Sequence, residues 1–237
     1  MRRPALAAWT TFVLAFASLS YALRFTGGKP AKDVLYKWST VGANLVQFAV
    51  IAAIVYGIAG LGDRRRLFAL RRPTSWKTAI GIGVAIGIGM VVLTELLGPV
   101  LHPGREQGIT PDTWQPNHAA AYVVNGLVIA AVAPVVEELT FRGLGYSLLA
   151  RYGSWTAILL VGLAFGAAHG LLQAFPLLAA FGSGLAYLRS RTDSVFPGML
   201  VHGIFNTVAL VAAVWGAPQP GSILRACAGL LSALPQL

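Results

Sequence analysis

The sequence predicts an all-α protein, a polytopic bundle of about eight transmembrane helices. Hydrophobic residues make up 56% of the 237 residues and charged residues only 11%, whereas a soluble domain carries roughly 25% charged residues. The apolar runs approach the ~20 residues that a helical span needs, and they are continuous rather than alternating. Since only helices and closed barrels satisfy their backbone groups in lipid, this pattern favours helices. A soluble enzyme, a disordered linker and a disulfide-rich secreted domain are excluded, the last because Cys227 is the single cysteine.

The predicted spans are the apolar runs of the chain. The first resembles a secretory signal, but it is longer than the usual ~7–15 residue apolar region and further spans follow, so we expect it to stay uncleaved. Tryptophans near the span ends, Trp9 among them, are expected at the membrane interfaces. The spans cover residues 5–23, 41–61, 79–101, 119–138 with an extension toward 151, 155–170, 171–188, 195–215 and 223–234.

The basic residues that give the net charge of +10 lie in the loops between these spans, as in membrane proteins. We therefore expect no nucleic acid partner. With the N-terminus inside, twelve of the 18 Lys and Arg residues fall in cytoplasmic segments. The bias predicts that both termini are cytoplasmic. Because Ala, Gly and Arg are abundant, as in bacteria with GC-rich genomes, the predicted location is a bacterial inner membrane. No sequence feature specifies an oligomeric state.

Three segments organise the chain. Residues 1–118 are predicted to be transmembrane helices without a motif, residues 119–216 a functional core, and residues 217–237 a C-terminal helix. The stretch 102–118 is rich in Pro, Gly and polar residues and is predicted to be a loop on the outer side. Glycines spaced by four, Gly83 with Gly87 and Gly162 with Gly166, predict helix faces that allow close packing.

Ionisable residues within the apolar runs indicate a functional site, since such residues are costly in a membrane. Glu138 and Arg142 are four residues apart, so they share a helix face and are expected to form an ion pair. Glu137 lies on a neighbouring face without a counter-charge of its own. A carboxylate in such a setting can serve as a general base.

A second polar position is predicted to face Glu137 across a helical hairpin. The turn of that hairpin is expected around Tyr152, and Glu137 lies 15 residues before it while His169 lies 17 after it. At 1.5 Å per residue both lie ~22–26 Å from the turn. The carboxylate and the imidazole are therefore expected at nearly the same level.

A third polar group lies on the seventh predicted span. His202 and Asn206 are four residues apart and share one face. Two converging hydrogen-bond donors are what a developing oxyanion requires. His202 is only ~12 Å from the loop at Ser194, so it is expected to lie at a shallower level than Glu137 unless a tilt, a break in the fourth helix or a re-entrant loop intervenes.

Together these groups resemble the signature of the CPBP family, the CAAX proteases and bacteriocin-processing enzymes that include the type II CAAX prenyl endopeptidase. The resemblance implies a glutamate-dependent intramembrane endopeptidase with an all-helical core, no covalent intermediate, no metal and no cofactor. Its partners would be the lipid bilayer and a membrane-associated protein or peptide substrate. The signature is carried by Glu137-Glu138-x-x-x-Arg142, Phe165-x-x-x-His169 and His202-x-x-x-Asn206.

The resemblance also implies a role for each of these residues. Glu137 would activate water as a general base, with His169 positioning or polarising it. His202 and Asn206 would stabilise the oxyanion. The remaining three residues would shape the site, Glu138 and Arg142 as a structural pair and Phe165 packing beside His169.

Three other functions remain open on the sequence. The polar cluster could hold a partner membrane protein without catalysis, as an immunity or scaffold protein would. Glu137, His169 and His202 could bind zinc, although the chain has no His-Glu-x-x-His motif. The same residues could form the proton relay of a carrier, although the chain shows no inverted halves.

Overall fold

The computed structural model describes residues 2–27, 33–102 and 114–214, and the secondary structure of these ranges is entirely helical. This confirms the predicted all-α class. The predicted eighth span, residues 223–234, and most of the predicted outer loop lie outside the described residues. The helices are α1 (Arg2–Thr26), α2 (Trp38–Ala59), α3 (Arg64–Phe68), α4 (Trp76–Leu101), α5 (Pro116–Tyr152), α6 (Ser154–Ala168), α7 (Phe175–Thr192) and α8 (Phe196–Val214).

Five of these helices, α1, α2, α4, α5 and α8, are long and apolar enough to cross a membrane. α6 is apolar but shorter, with 15 residues. α7 has 18 residues and ends in the basic residues Arg189 and Arg191. The predicted polytopic membrane bundle is therefore confirmed, with α6 and α7 in the places of the predicted fifth and sixth spans.

The central contact of the bundle joins α6 to α7, and glycine makes it possible. A Cβ atom at Gly162 would lie 2.7 Å from the backbone nitrogen of Ser183, and one at Gly166 would lie 3.0 Å from the backbone nitrogen of Ala179. The two backbones thus approach more closely than any side chain allows. The predicted small-residue face of this helix is the face that packs.

The long helix α5 is not a uniform α-helix. It has π-helical geometry over Val128–Val132 and again over Leu139–Gly145, on either side of an α-helical stretch that contains Pro134. Wider turns of this kind change which side chains share a face and are frequent at functional sites. They provide the irregularity in the fourth predicted span that the depth of His202 requires.

The helix α1 packs against α5 through Trp9. The indole Nε1 donates a hydrogen bond to the carbonyl oxygen of Thr140 at 3.0 Å, and the ring covers Gly145, where a Cβ would collide with it. Only 4% of Trp9 is exposed. The prediction of an interfacial anchor is wrong for this residue, because glycine opens a space in α5 that the indole fills.

The loops at one end of the bundle are held together by ion pairs. Arg71, before α4, and Arg189, in the last turn of α7, both contact Asp193 Oδ1, at 2.8 and 2.9 Å. The backbone N–H of Thr74 also donates to the carbonyl oxygen of Thr192 at 3.0 Å. The start of α4, the end of α7 and the start of α8 therefore lie at the same end of the molecule.

We expect Gly162→Ala to lower the free energy of unfolding by about 1–3 kcal/mol, because the added methyl group overpacks a backbone contact. The matched control is Gly87→Ala on α4, where a Cβ would meet no atom within 4 Å. The control should leave stability unchanged or raise it. Unfolding of both variants in detergent micelles measures the difference, and equal stability would contradict the packing described for α6.

The Asp193 cluster predicts an acid-dependent loss of stability. Burial alone would raise the pKa of Asp193, but hydrogen bonds from Arg71 and Arg189, with their charges, outweigh it and lower the pKa below its usual 3.8. The contribution is therefore complete above pH 3.8 and lost as pH falls through the lower folded-state pKa. Asp193→Asn, which keeps the left-handed backbone favourable, should cost about 1 kcal/mol or less at pH 7, because the carboxylate is half exposed. Melting curves at pH 7 and pH 3 should show the difference from wild type shrinking in acid.

Candidate active site

A buried ion pair on α5 forms the base of the candidate site. Arg142 Nη1 lies 2.8 Å from Glu138 Oε1, and both side chains are fully buried. The guanidinium of Arg142 thus supplies a buried counter-charge for Glu138. The pair that the spacing of four residues predicts is present, inside the second π-helical segment and its preceding turn.

The guanidinium of Arg142 also contacts α6 and α7. Its Nη2 donates to the carbonyl oxygen of Gly182 at 2.9 Å, and its Cζ lies 4.4 Å from the centre of the Phe165 ring. On the other side of the pair, Gly198 lies so close that a Cβ there would collide with Glu138 Oε2. One ion pair on α5 thus has contacts with each of the next three helices.

The imidazole of His202 lies between the two adjacent glutamates. Its Nδ1 is 3.3 Å from Glu138 Oε1, and its Nε2 is 3.7 Å from Glu137 Oε2. Because the Glu138 carboxylate accepts, Nδ1 carries a hydrogen and Nε2 faces Glu137. The sequence left open whether His202 reaches the level of Glu137. In the structure α8 approaches α5 closely enough for His202 to lie beside both carboxyl groups, and the irregular α5 is one of the alternatives that the sequence allowed.

The imidazole of His169 has a defined tautomer. Its Nδ1 lies 2.7 Å from the carbonyl oxygen of Phe165. A carbonyl oxygen only accepts, so Nδ1 carries the hydrogen and Nε2 presents a lone pair. The Phe165 ring packs edge-on at 4.7 Å between ring centres. A nitrogen able to take up a proton therefore faces away from its own helix.

Glu137 and His169 lie on the wall of one cavity of about 290 Å³. The Glu137 side chain keeps 19% of its surface exposed, in contrast to the fully buried Glu138 beside it. A mostly apolar cavity with a few convergent polar groups is the usual form of a small binding site. The remaining lining residues are Phe12, Val13, Phe16, Leu19, Ser20 and Leu23 of α1, Gln47, Phe48 and Ile51 of α2, and Thr140, Phe141 and Ala168.

Asn206 lies apart from this cavity. Its Nδ2 donates to the carbonyl oxygen of Ile129 at 2.9 Å. Ile129 belongs to the first π-helical segment, whose wider turns change the partners of the backbone carbonyls. Neither Asn206 nor His202 is among the residues that line the cavity. Their oxyanion-stabilising role stays a prediction, and the contacts described here are with α5.

Several residues that contact the site belong to none of the three sequence motifs. Phe181 packs edge-on against His202 with ring centres 5.4 Å apart, and it stacks on Phe205. The Gly182 carbonyl and the glycine at 198 carry no side-chain signal that a motif could show. Gln47 does carry one, because its amide stands in a largely apolar run, and that signal could have marked it as a candidate together with Asn44.

Residues 119–208 match the model of a family described as Rce1-like, type II CAAX prenyl endopeptidase. The resemblance to the CAAX proteases is confirmed. The match includes all three polar motifs and most of α5 through α8, while α1 to α4 lie outside it. An intramembrane protease of the CAAX type is the general activity that this match supports. No curated protein and no solved structure matches the chain.

In the described ranges, no group of three or more His, Cys, Asp or Glu side chains is arranged to hold a metal ion. Glu138 accepts a hydrogen bond from Arg142, and one nitrogen of His202 is directed at Glu138. These ligand atoms are therefore engaged with other protein groups.

Replacement of Arg142 by Met should destabilise the protein by about 3–5 kcal/mol, because the Glu138 charge is left buried without its partner. The control is the double variant Glu138→Gln with Arg142→Met, which removes both charges and should recover part of the loss. Unfolding in detergent measures both variants. A single variant as stable as the wild type would show that the pair does not hold the four helices together.

Proposed function

We propose that the protein is an intramembrane endopeptidase that hydrolyses a peptide bond of a membrane-associated protein or peptide by direct attack of water. The observation that carries the proposal is that Glu137 and His169 line one cavity. The adjacent buried pair of Glu138 and Arg142 holds α5 in position at this site. The family match to residues 119–208 supports the reaction class. The glutamate-dependent mechanism is our proposal.

In this mechanism Glu137 accepts a proton from a water molecule in the cavity. The water oxygen bonds to the carbonyl carbon of the substrate, the carbon–nitrogen bond breaks, and the proton passes to the leaving nitrogen. The free Nε2 of His169 orients the water and shares its proton. No covalent bond to the enzyme forms, so no side chain acts as nucleophile.

His202 has a second role in this proposal, through its contact with Glu137. With Nδ1 donating to Glu138, its Nε2 and the Glu137 carboxyl group face each other at 3.7 Å. His202 would thereby help to orient the Glu137 carboxyl group during the reaction. Oxyanion stabilisation by His202 and Asn206 remains part of the proposal, as the family resemblance implies.

The membrane placement follows from charge. Arg3 and Arg151 line one groove, and the Asp193 cluster joins the loops before α4 and after α7. We propose that this basic end, which includes the start of α1, faces the cytoplasm of a bacterial inner membrane. The cytoplasmic C-terminus depends on residues outside the described ranges.

We expect Glu137→Ala and His169→Ala each to abolish cleavage while the protein still accumulates in the membrane. Mass spectrometry of membranes from cells that produce each form should find peptide termini that only the wild type generates. The same bond is then followed in an internally quenched peptide with the purified proteins. Test peptides should include a prenylated C-terminal Cys motif, a bacteriocin leader and the anchor of a surface protein.

The rival functions give different results in the same experiment. A partner-binding or scaffold protein would keep its cellular activity in Glu137→Gln, which preserves shape but removes the base. A zinc protease would lose activity with a chelator and regain it with zinc. A proton-coupled carrier would show substrate-dependent proton flux in liposomes. Wild-type rates in purified Glu137→Ala would end the proposed mechanism.

A further inference from the structure

Gln47 is a polar residue of the site cavity that lies outside the family-matched segment. It stands in α2, in which an 18-residue window reaches a mean hydropathy of 1.9, and its side chain lines the same cavity as Glu137 and His169. No hydrogen bond joins its amide to another described residue. Its neighbour Asn44, in contrast, donates to Asn125 and thus has a structural partner. Gln47 is exposed and lines this cavity, so its amide is available to a bound ligand.

The hydroxyl and imidazole groups on the cavity wall already donate hydrogen bonds to backbone carbonyl oxygens of their own helices. The Ser20 hydroxyl donates to the Phe16 carbonyl oxygen at 2.9 Å, and the Thr140 hydroxyl donates to the Val136 carbonyl oxygen at 2.7 Å. The Nδ1 hydrogen of His169 is directed at a backbone carbonyl oxygen, and Glu137 is an acceptor when ionised. Of the described side chains that line the cavity, only Gln47 therefore has N–H groups that donate no hydrogen bond within its own helix.

Peptide hydrolysis needs donors as well as a base. A substrate carbonyl oxygen that loses its water on entering the cavity must regain a hydrogen bond, and it gains negative charge as water attacks. His202 and Asn206 are absent from the cavity wall and have hydrogen-bond partners on α5. Gln47 on α2 is therefore a further donor, on the cavity wall that Glu137 shares, beside the oxyanion role proposed for His202 and Asn206.

We propose that Gln47 is a substrate-binding residue of this site, and that its amide N–H donates to a backbone carbonyl oxygen of the bound peptide beside Glu137. The apolar lining from α1, including Phe12, Phe16 and Leu19, then contacts the apolar side chains that flank this carbonyl. The inference rests on the proposed protease function and adds a substrate contact from a helix that no motif marks.

The test compares Gln47→Leu, Gln47→Glu and Gln47→Asn with the wild type, on the quenched peptide that spans the Glu137-dependent cleavage site. Leu and Glu have similar size but no N–H group, and each should lower kcat/KM about five- to tenfold, the effect of one lost hydrogen bond. Asn keeps the donor and should retain more activity than either. Melting temperatures in detergent should stay at the wild-type value.

The matched control is Val50→Leu, on the same helix with 53% of its side chain exposed, which should cleave at the wild-type rate. If Glu137→Ala abolishes cleavage but Gln47→Leu keeps the full kcat/KM, the role of Gln47 is refuted and the protease function stands. Equal losses in Gln47→Leu and Gln47→Asn, with lowered melting temperatures, would assign Gln47 a structural role instead. If Glu137→Ala cleaves normally, the proposed function itself has failed.

Discussion

The buried pair of Glu138 and Arg142 is the interaction on which the site depends. A single charge in this setting would be prohibitively costly, and two atoms of the pair, Arg142 Nη2 and Glu138 Oε1, have further partners in Gly182 and His202. These partners belong to α7 and α8, so the pair fixes the positions of those helices relative to α5. Glu137 precedes Glu138 by one residue, and about 100° of helix rotation directs it elsewhere, toward the cavity. Burial of one carboxylate therefore positions the other.

The site has two walls of different origin. Helices α5 to α8 supply the ionisable groups and match the family model, whereas α1 and α2 supply most of the apolar lining and lie outside it. Trp9 joins the two parts through its hydrogen bond to Thr140, which lies one turn from Glu137. The cavity thus combines a largely apolar lining with two ionisable side chains, Glu137 and His169, on its wall. Partial exclusion of water of this kind strengthens the electrostatic interactions that the proposed hydrolysis would use.

The sequence was informative where a physical rule links residue type directly to position. Hydropathy predicts the helices, the spacing of four predicts the Glu138–Arg142 pair, and glycine spacing predicts the face of α6 that packs on α7.

Sequence rules failed where the geometry is not ideal. The π-helical turns of α5 change which residues share a face, so ideal helix spacing alone could not place His202 relative to Glu137. The burial of Trp9 depends on the space above Gly145, which only the packed structure reveals. The roles of Gly182 and Gly198 are steric or belong to the backbone, and no side chain signals them. The roles of Glu137, His169, His202 and Asn206 in catalysis remain predictions.

The most direct test of the mechanism follows the oxygen of water. The enzyme turns over its substrate many times in water enriched in oxygen-18 and is then digested. Mass spectrometry measures the label in the enzyme fragment that includes Glu137 and in the cleavage product. Direct attack of water predicts label in the new carboxyl group of the product and none in Glu137. Label in the Glu137 side chain would show that this carboxylate attacks the substrate itself, and it would contradict the account of Glu137 as a base.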